Sequence, residues 1–90
     1  MEKRRVVVTG LGCVSPLGNT VAETWEAIKA GKSGISNITL FDTTNFDVKI
    51  AGEVKNLDVG QWIDKKEARK MARFCQFATV ASVQAMQDAG

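Results

Sequence analysis

A continuous β-branched run near the amino end, Val6-Val7-Val8, most restricts what this chain can fold into. Such a run has no polar face to offer water. As a strand it needs cover on both sides, the situation of a parallel sheet lying between helix layers. Gly10-Leu11-Gly12 then breaks the strand, and Ser15-Pro16-Leu17-Gly18-Asn19 reads as loop. A helix is predicted from Thr20 to Ala30. Thr20 and Glu23 have capping-box spacing, in which the hydroxyl accepts from the backbone at Glu23 and the carboxylate reaches back. Val21, Trp25 and Ile28 make one apolar stripe, and Gly31 is placed to end the helix in the left-handed conformation. Strand, loop and helix together form a βα unit, and the class is α/β.

Beyond Gly31 the signals are weaker. Ser33 to Asn45 shows no period and reads as loop. Val48 to Val54 is a strand candidate with Gly52 inside it, and Leu57 to Ile63 has room for one helical turn. Lys65 to Ala89 is helical, in two pieces joined near Ala72. Phe74, Phe77/Ala78, Ala81, Ala85 and Asp88/Ala89 follow one face, and Cys75, Thr79, Ser82 and Met86 a second, small-residue face. A helix apolar or small on more than one face expects burial on several sides. A chain of 90 residues, 44% hydrophobic, builds only a modest core. The expectation is therefore an incomplete domain, residues 1–90, that packs against further polypeptide. No internal repeat or low-complexity segment is present.

The sequence contains no histidine, which removes the usual general base from any site built by this chain alone. Its two cysteines, Cys13 and Cys75, match no metal-ligand spacing and read as buried small hydrophobes. The amino-terminal apolar run is too short for a signal peptide or a membrane span, and the cysteine usage is that of a reduced compartment, so the expected location is cytoplasmic. Val6-Val7-Val8-Thr9-Gly10-Leu11-Gly12 resembles the start of a dinucleotide fingerprint, but Ser15 stands at the third glycine position and Pro16 follows it. A tight turn after a buried strand is the better reading.

The net charge of +2 is too small to imply nucleic acid, but its distribution is informative. On a continuous helix Lys66, Arg69, Lys70 and Arg73 fall at i, i+3, i+4 and i+7, hence on one face. Four like charges repel unless an anion gains from them. Two readings stand on this pattern: a solvated helix face, or a docking surface for an acidic partner.

Arg4-Arg5-Val6-Val7-Val8-Thr9-Gly10-Leu11-Gly12, followed by Val14-Ser15-Pro16-Leu17-Gly18-Asn19, resembles the amino terminus of β-ketoacyl-[acyl-carrier-protein] synthases. Thr24-Trp25, Gly31-Lys32-Ser33-Gly34-Ile35 and Phe41-Asp42 add to the likeness. Lys66-Glu67-Ala68-Arg69-Lys70-Met71, Phe74 and Gln84-Ala85-Met86-Gln87-Asp88-Ala89-Gly90 are similar to the type II enzymes in particular. The resemblance implies the N-terminal part of a thiolase-like, five-layer αβαβα fold, usually homodimeric. It implies a decarboxylating Claisen condensation that elongates acyl chains in fatty-acid synthesis from acyl- and malonyl-loaded acyl carrier protein, with no metal or nucleotide cofactor. The family's catalytic cysteine and two histidines are expected beyond this segment, so no catalytic residue is assigned here. Lys66, Arg69 and Lys70 match the family's carrier-protein docking helix, with Lys65 and Arg73 as auxiliaries. The rival expectation is a non-catalytic module that binds an acidic partner such as acyl carrier protein.

Overall fold

The computed structural model describes residues 3–90. Helix α1 spans Val21–Lys29, and both of its predicted ends are present. Thr20 Oγ1 accepts from the Glu23 N–H at 3.2 Å, and the Glu23 carboxylate reaches back to the Asn19 N–H at 3.1 Å, one residue beyond the usual capping-box partner. At the other end Gly31 adopts φ +71°. Its N–H bonds to Ile28 O and that of Lys32 to Ala27 O, both at 3.0 Å. This pair of bonds is a Schellman motif and satisfies two carbonyls the helix would otherwise leave open.

Strand β1, Ile35–Asn37, pairs antiparallel with β2, Ile50–Gly52, in the register Ile35↔Gly52, Ser36↔Ala51, Asn37↔Ile50. β2 lies inside the predicted strand. β1 lies in a stretch predicted as loop, because three residues are too few to show a period. A 3₁₀ turn at Val59–Gln61 is capped by Asp58, which accepts from the Gly60 N–H at 3.1 Å. Helices α2, Lys65–Arg69, and α3, Arg73–Ala89, follow. The chain leaves helical geometry at Ala72, ψ 158°, the residue around which the sequence placed the joint.

The amino-terminal segment corrects two expectations. Val6, Val7 and Val8 join no sheet among the described residues; Val6 is 91% exposed. The strands among the described residues, β1 and β2, pair with each other, and this segment joins neither. Gly10 and Gly12 make no turn either. They lie directly on α3, where a methyl group at Gly12 would come within 2.8 Å of Ala85 N and closer still to the Ala81 carbonyl. Their role is close approach of two backbones. Along this contact Leu11 N–H donates to Asp88 Oδ2 and Cys13 N–H to Gln84 Oε1, both at 3.0 Å. Alternate amides of an extended segment thus meet acceptors one helical turn apart.

The core is small. Val80 has no exposed surface and packs with Ile63 and Ala68, with Val14, Leu57, Val59, Trp62 and Met71 partly buried around them. The buried stripe of α3 runs through Val80 and Gln84, between the two faces read from the sequence. Phe77, Ala81 and Ala85 are half-buried, whereas Phe74, Ser82, Met86 and Ala89 face outward. Burial of α3 on several sides is therefore not reached within residues 3–90. The radius of gyration is 16.5 Å, against about 12 Å for a compact domain of this length. Cys13 and Cys75 are half-buried, less than expected, since the elements here cover only part of each.

Candidate functional site

The basic surface is built around α2. Asp64 caps the helix by accepting from the Lys66 N–H at 3.1 Å. Ala68 is buried against Ile63 and Val80, and this contact turns the rest of the helix toward solvent. Lys65, Lys66, Arg69 and Lys70 are all exposed. Among the described residues the salt bridge found is Lys29–Glu26, at 2.7 Å, and none of the α2 cations takes part in one. The small apolar anchor beneath and the unpaired cations above make α2 a positively charged ridge.

The single-helix stripe expected from the sequence is modified. Lys66 and Arg69 share α2, Lys70 is its carboxy-terminal cap, and Arg73 begins α3 beyond the break. Arg73 is exposed as well. Its Nη1 donates to Gln76 Oε1 at 3.2 Å, and its guanidinium carbon lies 4.7 Å from the Phe77 ring centroid. Gln76 also donates through Nε2 to Ala68 O at 3.0 Å. The sequence reading missed Gln76 and Gln84. Both flank Val80 at intervals of four residues, so polar side chains bracketing an apolar position were the available signal.

Elsewhere the polar groups are structural. Glu53 is buried; its carboxylate accepts from Thr39 Oγ1 at 2.8 Å, from the Thr39 N–H at 3.1 Å and from the Leu40 N–H at 3.3 Å. The Thr39 hydroxyl, followed by the Thr39 amide, holds this carboxyl below its ordinary range. Asp42 is lowered in the same sense by the Thr44 hydroxyl, 2.6 Å away. Cys13 Sγ lies 3.6 Å from Thr24 Oγ1, a neighbour that cannot act as a base at neutral pH. No group of His, Cys, Asp and Glu side chains suited to a metal ion occurs among the described residues. No described helix is long and apolar enough to cross a membrane.

A family model described as the N-terminal domain of β-ketoacyl synthases matches residues 3–90. The chain belongs to the β-ketoacyl synthase family. It is 56% identical over 90 residues to 3-oxoacyl-[acyl-carrier-protein] synthase 2 of Vibrio cholerae, covering 100% of this chain and 22% of that protein. It is 49% identical over 89 residues to the synthase 2 of a Synechocystis species, covering 99% of this chain and 21% of that one. Among solved structures, the ishigamide ketosynthase/chain length factor superposes with a TM-score of 0.89 at 40% identity, over 99% of this chain and 22% of its own. The chain thus spans about a fifth of the length of these β-ketoacyl synthases. The fold is that of the N-terminal part of the thiolase-like α/β condensing enzymes, as the sequence motifs implied, and the named relatives agree with the type II likeness.

Proposed function

We propose that this chain works as the amino-terminal segment of a decarboxylating condensing enzyme, where it supplies scaffold and docks acyl carrier protein through Lys66, Arg69 and Lys70. In that reaction a cysteine thiolate carries the growing acyl chain as a thioester. Malonyl-carrier protein loses carbon dioxide, and the carbanion left behind attacks the acyl carbonyl. The new carbon–carbon bond forms as the cysteine–acyl bond breaks and the thiolate departs. Two histidines stabilise the developing oxyanion. Since the 90 residues hold no histidine, other parts of the polypeptide furnish that chemistry. The further attributes of the enzyme, a homodimer in the cytoplasm with no metal or nucleotide cofactor, belong to the same proposal.

One observation carries the docking role: in a chain of this family, α2 presents exposed cations that form no salt bridge among the described residues. Acyl- and malonyl-loaded carrier protein, with an acidic surface, is the complementary partner. Long-range attraction of this kind acts mainly on the rate of encounter. The test is charge reversal, Arg69→Glu with Lys70→Glu, in the intact synthase polypeptide. The ratio of kcat/KM on carrier-bound thioester to that on carrier-free thioester should fall about tenfold or more. An equal loss on both substrates would point to misfolding or to a role in the chemistry, and docking would be abandoned.

A further inference from the structure

We propose that Gln76 is a positioning residue that carries the docking surface from α2 onto α3 by holding Arg73 as a further docking cation. The proposal rests on the docking reading above and adds to it a residue and a geometry. The break at Lys70–Ala72 would leave the two helices free to hinge, yet one side chain spans it. Gln76 Nε2 donates to Ala68 O at 3.0 Å, and its Oε1 accepts from Arg73 Nη1 at 3.2 Å. Ala68 O lies in the last turn of α2, where helix carbonyls lack intrahelical partners; here it also takes the Met71 N–H at 3.1 Å. The same amide therefore fixes the end of α2 and the first side chain of α3.

Arg73 is held on two sides while remaining exposed. Phe77 covers one face of the guanidinium at 4.7 Å from the ring centroid, a cation–π contact, and Gln76 takes Nη1. The other nitrogens stay available, and a guanidinium edge suits bidentate pairing with a carboxylate. The acceptor that holds it is a neutral amide. A carboxylate at position 76 would still accept from Arg73, but it would cancel the charge and lose the donor that reaches Ala68 O. Gln76 orders the cation and leaves the charge for the partner. With Lys66, Arg69 and Lys70, also exposed and without salt bridges among the described residues, the surface fits carboxylates on an acidic carrier protein.

The experiment uses the intact synthase polypeptide, on carrier-bound and carrier-free thioesters, and compares Arg73→Ala, Gln76→Ala and the double variant that combines them; Arg69→Ala is the control for α2. Arg73→Ala should raise KM for the carrier-bound substrate about threefold to tenfold and lower the carrier-bound to carrier-free kcat/KM ratio accordingly. Gln76→Ala should produce part of that change, and the double variant should match Arg73→Ala alone, because Gln76 acts through the guanidinium. Gln76→Glu should reproduce the defect by neutralising Arg73. If Arg69→Ala raises the carrier-bound KM and Arg73→Ala does not, the inference is wrong and docking by α2 stands. If Arg69→Ala also has no effect, the docking reading fails and takes the inference with it. If Gln76→Ala adds its full effect to that of Arg73→Ala, Gln76 acts on α2 alone and its role toward Arg73 is refuted.

Discussion

Gln84 of α3 accepts the backbone N–H of Cys13 at 3.0 Å and, through the other end of the same amide, donates to Asn19 O at 2.6 Å. A single buried side chain thus ties the extended amino-terminal segment and the loop before α1 to the last helix. Replacing it with Leu would preserve much of the volume but strand a donor at Cys13 and an acceptor at Asn19. Leaving buried polar groups without partners costs about 1–3 kcal/mol each. Gln84→Leu in the intact polypeptide should lower the denaturation midpoint accordingly, and Gln84→Glu, which keeps only the acceptor, should fall between the two. A Leu variant as stable as the parent would show that water replaces both bonds.

Two glycines should respond differently to the same series of substitutions. At Gly12 the obstacle is the α3 backbone, so each larger side chain should be worse than the last. Ala is expected to cost about 1–3 kcal/mol by overpacking, and Asn more. At Gly31 nothing stands within 4 Å of an added Cβ, and the difficulty is φ +71°. Ala there should cost roughly 1–2 kcal/mol of backbone strain, and Asn, which tolerates that conformation, less. The order Gly > Ala > Asn at position 12 and Gly > Asn > Ala at position 31, measured by denaturant unfolding, checks both explanations.

The contrast between these glycines also marks what was legible in the sequence. Gly31 ends a helix by a local rule, and local rules can be read from spacing; so can the Thr20–Glu23 cap and the interruption near Ala72. Gly12 answers to residues about seventy positions away, and nothing in Gly10-Leu11-Gly12 tells close packing from a turn. Val6-Val7-Val8 carries a strand's composition, but strand pairing depends on partners that residues 3–90 do not provide. The exposed grouping of Lys66, Arg69 and Lys70 at α2 was legible because charge spacing is a helix-scale signal. The tie through Gln76 was not, since it requires the break that puts Ala68 O and Arg73 within reach of one amide.

Glu53 gives the chain an acid-sensitive joint. Its carboxyl is held below its ordinary value of 4.5 by the Thr39 hydroxyl and by the Thr39 and Leu40 amides. The folded state therefore binds this proton less readily than the unfolded chain. The stabilisation is fully present above the unfolded value and is lost as pH falls through the lower folded one. Glu53→Gln should flatten this part of the acid limb of the stability curve and change little in the shape of the curve above about pH 6. An unchanged acid limb in the variant would assign the transition to other carboxylates, such as Asp42.

Salt gives the most direct separation of docking from chemistry. The Debye length shrinks from about 8 Å at 0.15 M to about 3 Å at 1 M, so an attraction carried by exposed lysines and arginines fades across that range. Lys66, Arg69 and Lys70 are exposed and form no salt bridge among the described residues. In the intact synthase, KM for carrier-bound thioester should rise severalfold between about 0.05 and 0.5 M salt, while KM for carrier-free thioester should move much less. The Arg69→Glu, Lys70→Glu variant should start high and respond weakly, because the attraction that salt removes is already gone. If the variant keeps the parent's salt dependence, the steering charges lie elsewhere on the enzyme, and α2 is only a solvated ridge.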